Sequence, residues 1–135
     1  MNQLSLEITQ NCNLRCKYCV YGEDYFYYRS RSNKEMEYEV TKKGIEYVFN
    51  IINERNKKEF SLSFYGGEPL LNFEIIKKIV KYSKKLFNKW KLRFSITTNG
   101  TLIDEEIINF LILNNFQVLI SLDGPKDVHD AKRII

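Results

Sequence analysis

The sequence predicts an α/β fold, about four leading β/α units of a partial TIM-type barrel. Three observations predict it. Stretches with apolar residues at the strand period alternate four times with stretches at the helical period, the pattern of a parallel sheet built from right-handed crossovers. The residues least suited to packing all follow immediately after a predicted strand, and in such a sheet every strand's carboxyl end opens on one face. No repeat, low-complexity tract or Pro/Gly-rich linker interrupts the 135 residues, so the chain reads as a single domain.

The elements follow in order. "LSLEIT", Leu4 to Thr9, alternates apolar and polar residues and gives the first strand, which runs straight into a cysteine loop. After an aromatic and charged stretch, Tyr21 to Glu37, the positions Val40, Gly44, Tyr47, Val48, Ile51 and Ile52 recur at helical spacing and predict a helix from about Glu39 to Asn53. "FSLSFY", Phe60 to Tyr65, is the second strand, closed by Gly66-Gly67-Glu68-Pro69 because paired glycines and a proline end regular structure. Ile75, Ile76, Ile79, Val80, Leu86 and Phe87 mark a second helix, with Asn72 as its expected cap. "LRFSIT", Leu92 to Thr97, is the third strand, ended by Asn99-Gly100, and Asp104 to Asn114 is the third helix. "QVLISL", Gln117 to Leu122, is the fourth strand, followed by Asp123-Gly124-Pro125 and the start of a fourth helix. Four units cannot close an eight-unit barrel, so residues 1–135 are expected to be the leading part of a larger one, truncated and without a second domain. The fourth strand would then expose an unpaired edge and favour aggregation.

Composition narrows the function classes. With 44% hydrophobic and 28% charged residues the chain reads as folded, and a chain of this length can bury roughly two thirds of its unfolded surface. No stretch approaches the roughly 18 to 20 apolar residues of a membrane span, and no secretory signal opens the chain, so no membrane partner and a cytoplasmic location are expected. The net charge of +4 comes largely from lysines, many of them on "IIKKIVKYSKKLFNKW", Ile75 to Trp90. That segment reads as a solvated face; a nucleic-acid partner would call for basic residues grouped with exposed aromatics, and none is expected.

Chemistry concentrates after the strands. The cysteine loop, Gly66-Gly67-Glu68-Pro69, Thr98-Asn99-Gly100 and Asp123-Gly124-Pro125 would converge in one composite site, although glycine and asparagine also simply terminate strands. All three cysteines, Cys12, Cys16 and Cys19, lie in "CNLRCKYC". Reduced thiols so closely spaced read as metal or redox chemistry rather than as a disulfide framework. A structural zinc site wants four protein ligands, and His129 is the sole distant candidate for a fourth. An iron–sulfur cube differs, because each cysteine takes a separate iron and three thiolates leave one iron open.

Cys12-x3-Cys16-x2-Cys19, with Tyr18 before the last cysteine, resembles the defining motif of the radical S-adenosylmethionine (radical SAM) enzymes. Gly66-Gly67-Glu68-Pro69 resembles that family's glycine-glycine-glutamate motif, and the likeness covers nearly the whole chain. "DGPKDVHDAKR", Asp123 to Arg133, resembles the subgroup that modifies peptides and proteins, the sulfatase-maturating and thioether-forming (SPASM-type) enzymes. The resemblance implies a [4Fe-4S] cluster on Cys12, Cys16 and Cys19, with S-adenosyl-L-methionine chelating the open iron. An electron from the cluster would then cleave the cofactor to methionine and a 5′-deoxyadenosyl radical that takes a substrate hydrogen. The cofactor carries the hard chemistry and the protein supplies ligation and orientation.

Residue by residue, the resemblance implies Tyr18 near the adenine, or as cover for the cluster loop. It implies Gly66 and Gly67 at close backbone approach to the cofactor's ammonium, and Glu68 paired with that ammonium or holding the loop. Ser121 and Arg133 would meet the cofactor's carboxyl end, where a planar guanidinium can give two parallel hydrogen bonds. Thr98 and Asn99 would approach the ribose or serve the turn. His129 and Asp130 belong to the subgroup pattern and read more readily as capping or packing residues than as catalytic ones. Tyr21 to Arg31 resembles the segment after the cysteine motif in some maturases of ribosomally made, cysteine-rich peptides, with an aromatic lid packed on the barrel mouth as the alternative. A peptide or protein substrate and a reducing partner such as flavodoxin or ferredoxin are implied. No catalytic side chain is assigned, because the relatives' later barrel, their cysteine-rich extension and their peptide-recognition domain have no counterpart in these residues. The alternative is a truncated, inactive cluster- or zinc-binding interaction protein.

Overall fold

The computed structural model describes residues 2–22, 32–54 and 58–134. Its elements are β1 (Gln3–Thr9), α1 (Tyr38–Ile52), β2 (Glu59–Gly66), a 3₁₀ turn (Pro69–Asn72), α2 (Phe73–Leu86), β3 (Lys91–Thr98), α3 (Glu105–Leu113), β4 (Phe116–Ile120) and α4 (Lys126–Lys132). The four strands form one parallel sheet in the order β1-β2-β3-β4, as alternation of strand and helix requires. The expected lid falls largely on residues 23–31, outside the described residues.

The period-two pattern of the strands divides the sheet into two unlike faces. Leu6 and Ile8 of β1, Phe60, Leu62 and Phe64 of β2, and Phe94 and Ile96 of β3 are buried against isoleucines of α1, α2 and α3. Phe87, beyond α2, stacks on Phe60 at 4.5 Å and meets Phe49 of α1 edge-on at 5.1 Å, so an aromatic cluster seals the amino-terminal end of this layer. The alternate positions turn the other way and are polar. Gln3 Nε2 donates to Ser63 Oγ at 3.0 Å, and Ser63 Oγ lies 2.8 Å from Ser95 Oγ, a ladder across three strands. An ordinary barrel interior is filled by branched apolar side chains; this one is lined with hydroxyls.

Three local differences from the sequence reading have physical causes. Asn72 does not cap α2 through its side chain; its amide donates to Glu35 Oε2 at 3.1 Å. The cap lies earlier, where Glu68 accepts from Leu70 N ahead of Pro69 and opens the 3₁₀ turn. Asp104 does cap α3, accepting from Ile107 N at 2.8 Å. β4 ends at Ile120 rather than Leu122, although Ser121 N still donates to Thr98 O at 3.0 Å. Among the described residues β4 pairs with β3 alone, leaving Leu119 63% and Leu122 72% exposed. Among the same residues no helix is long and apolar enough to cross a membrane.

Candidate cofactor site at the strand carboxyl ends

β1 delivers its cysteines through a local irregularity. Its pairing with β2 slips between Glu7 and Thr9, which re-aims the chain as it leaves the sheet. Asn11 N then donates to Thr9 Oγ1 at 3.1 Å, and Cys12 N to Asn11 Oδ1 at 2.9 Å. Leu14 N points at Cys12 Sγ at 3.4 Å, while Cys19 N donates to Cys16 O at 3.1 Å and Gly22 N to Cys19 O at 2.7 Å. The loop is a succession of tight turns that leaves all three cysteines partly buried and outside any disulfide.

The glycine pair locks this loop to β2. Gly67 N donates to Thr9 O at 2.7 Å and Glu68 N to Asn11 O at 2.8 Å. Gly66 has φ +148°, and a Cβ there would stand 2.3 Å from Thr9 O; one on Gly67 would stand 2.1 Å from Asn11 O. Both glycines are therefore required by the crossing of two backbone segments, whatever else approaches them.

Glu68, expected at the cofactor's ammonium or holding the loop, is engaged by the loops in this structure. It is 1% exposed and does not line the cavity. Its Oε1 accepts from Leu70 N at 3.1 Å and Thr98 Oγ1 at 2.7 Å, and its Oε2 from Asn99 N at 2.8 Å. Three donors converge on one buried carboxylate, so Glu68 holds the β2 and β3 loops together, the alternative role the sequence allowed. Asn99 continues the connection: its Nδ2 donates to Asn13 Oδ1 at 2.9 Å and lies 3.9 Å from Cys12 Sγ.

The fourth loop closes the site from the other side. Arg15 N donates to Ile134 O at 2.6 Å and Lys17 N to Lys132 O at 3.0 Å, so the segment after α4 lies antiparallel along the cysteine loop. This brings Arg133 beside Cys16. Its Nε and Nη2 donate to the two carboxylate oxygens of Asp123 at 3.0 and 3.2 Å. The Tyr18 hydroxyl donates to Asp123 Oδ2 at 2.6 Å. Burial first and this bond second push the Tyr18 phenol up to about 12, and the bonds from Tyr18 and Arg133 hold the Asp123 carboxyl below its ordinary range. The Cys16 thiol is pushed up, chiefly by burial, against the downward pull of Arg133. His129 Nδ1 accepts from Asp123 N at 3.4 Å, a loop-holding contact away from the thiols, and Asp130 pairs with Lys126.

A cavity of about 240 Å³ lies between these loops. Cys12, Cys16, Cys19, Tyr18, Gly66, Gly67, Ser121 and Arg133 all line it, with Thr98 and Asn99. Tyr65, the last side chain before the glycines, and Gln10, Leu14 and Val20 also line it; the sequence reading missed them, and only Tyr65 carried a signal, its place at a strand end. Among the described residues no three His, Cys, Asp or Glu side chains group closely enough to hold a single ion. Three thiols that share one cavity suit a cluster in which each takes its own iron, so the donor set fits an iron–sulfur cube.

Comparison with known proteins agrees. Residues 6–135 match the radical SAM superfamily. A protein of Methanocaldococcus jannaschii is 37% identical over 98% of this chain and 42% of its own. The radical SAM cyclopropyl synthase TigE of Paramaledivibacter caminithermalis is 34% identical over 93% of this chain and 28% of its own. A cysteine-type anaerobic sulfatase-maturating enzyme of Clostridium perfringens is 36% identical over 98% of this chain and 36% of its own. Among solved structures, native anSMEcpe with bound AdoMet superposes with a TM-score of 0.81 at 36% identity, covering 98% of this chain and 35% of that one. The same protein with AdoMet and the Kp18Cys peptide gives 0.79 at 35% identity, over 97% of this chain and 34% of that one. The chain thus spans well under half the length of these relatives. With its fold, its loop order and its three-cysteine motif in agreement, the chain belongs to the radical SAM superfamily.

Proposed function

We propose that residues 1–135 are the leading part of a radical SAM core domain that holds one 4Fe-4S cluster on Cys12, Cys16 and Cys19 and S-adenosylmethionine in the adjoining cavity, for modification of a peptide or protein. The observation that carries the reading is the sharing of one cavity by the three cysteine side chains and the Gly66-Gly67 backbone. Bound together, the two groups supply an electron and a carbon radical able to abstract hydrogen.

The chain's own residues would bind and orient. Gly66 and Gly67, which line the cavity, would offer backbone groups to the cofactor's amino end. Ser121 and Arg133 would meet its carboxyl end and Tyr18 its adenine, a reading supported by all three residues lining the cavity. Glu68 supports these residues from behind, through Thr98 and Asn99. A peptide or protein substrate is supported by likeness to a sulfatase-maturating enzyme and to a structure with a bound peptide. A cytoplasmic location and a low-potential donor such as flavodoxin or ferredoxin complete the reading.

Anaerobic reconstitution with iron and sulfide tests it. A folded preparation should take up four irons and four sulfides per chain, and Cys16→Ala should lose them. Zinc without labile sulfide, or a cluster that survives Cys16→Ala unchanged, sinks the reading.

A further inference from the structure

Asp123 has no part in the proposed function, yet it is one of the most engaged side chains of the site. It takes Nε and Nη2 of Arg133 at 3.0 and 3.2 Å and the Tyr18 hydroxyl at 2.6 Å. The side chains of Arg133 and Asp123 are 12% and 16% exposed. With one edge of its fork filled, Arg133 turns its remaining Nη1 to Cys16 Sγ at 3.9 Å, and its guanidinium stands 5.5 Å over the Tyr18 ring. Backbone bonds from Arg15 and Lys17 hold the residues on either side of Arg133, and His129 Nδ1 holds the Asp123 amide. The pair is fixed beside one sulfur.

We propose that Arg133 and Asp123 form a counterpoised charge pair that sets the reduction potential of the cluster through Cys16, Arg133 raising it and Asp123 limiting the rise. The inference rests on the reading that the three cysteines hold a cluster. One-electron reduction takes the core from 2+ to 1+ with no bond made or broken, the electron coming from a low-potential one-electron donor. The added negative charge is shared with the thiolate sulfurs, so a nearby N–H and cation stabilise the reduced form and a carboxylate opposes them.

The test is an anaerobic titration of the reconstituted protein with dithionite, monitored by electron paramagnetic resonance, without S-adenosylmethionine. Arg133→Gln should shift the midpoint potential down and Asp123→Asn should shift it up. Arg133→Lys, which keeps the charge without the fork, should fall between wild type and Arg133→Gln. A merely structural role would move both partners the same way or neither, and either result overturns the assignment. If Arg133→Gln takes up no cluster, Asp123→Asn decides alone: a rise supports the pair, and an unchanged or lower potential overturns it. A folded Asp123→Asn protein without a cluster also overturns it, since the pair would then build the site rather than tune it. Failure of the wild type to take up a cluster refutes the proposed function itself, a distinct result.

Discussion

The substitution of Gly67 by alanine isolates the crossing of β2 with the cysteine loop. An alanine Cβ would sit 2.1 Å from Asn11 O, 2.6 Å from Asn11 C and 2.9 Å from Gln10 O. All three atoms are backbone, so no flexible side-chain end can move aside; the loop itself must retreat by roughly 1 Å to restore van der Waals contact. That retreat breaks the Gly67 N to Thr9 O and Glu68 N to Asn11 O bonds, 2.7 and 2.8 Å long. At about 1 to 1.5 kcal/mol for each, Gly67→Ala should cost about 2 to 3 kcal/mol. Gly44 is the control, because it lies within α1 and a methyl group there would meet nothing within 4 Å. At that position alanine should stabilise by about 0.5 to 1 kcal/mol through helix propensity. Urea denaturation reads both, and iron uptake should fall for Gly67→Ala alone. A Gly67→Ala protein within about 0.5 kcal/mol of wild type would refute the steric argument.

Other consequences are as specific. Glu68→Gln must set an amide N–H₂ against the backbone N–H of either Leu70 or Asn99, so it should destabilise by about 1 to 3 kcal/mol in thermal unfolding; an unchanged melting temperature contradicts the buried clamp. The Tyr82 phenol, hydrogen-bonded to Glu46, is pushed up to about 12, by burial first and by that bond second. Because the folded value lies above the ordinary one near 10, this contribution to stability is complete below pH 10 and is lost as pH rises toward about 12. Tyr82→Phe should therefore flatten the fall in stability over that window, and an unaltered alkaline profile argues against it. For the 135-residue chain expressed alone, Leu119→Lys on the open β4 edge should slow aggregation as followed by light scattering, and no change would clear that edge.

Much of this architecture was legible along the chain because it depends on local periodicity. The alternation in "FSLSFY" and "LRFSIT" gave β2 and β3 to within a residue or two, and the helical spacing of Ile75, Ile76, Ile79 and Val80 gave the buried face of α2. The cavity lining was legible for the same reason: loops that follow parallel strands must meet. Roles that depend on what a residue meets across the fold were not. Nothing beside Glu68 announces that Thr98 and Asn99, thirty and thirty-one positions on, would fill its carboxylate. Nothing beside Gly67 shows Asn11 O waiting where a Cβ would go. Arg133 could be read as a fork for a carboxylate, but only the fold reveals that Asp123, ten positions earlier, already occupies one edge.

The antiparallel contact between the cysteine loop and the segment after α4 also has a consequence in time. Arg133 follows Cys16 by 117 positions, so at synthesis rates of about 5 to 20 residues per second the thiols leave the ribosome on the order of ten seconds before their flanking segment exists. During that interval the loop lacks the two bonds from Arg15 and Lys17 that later brace it. In the nascent chain the cysteine loop therefore emerges well before the segment that braces it in the fold.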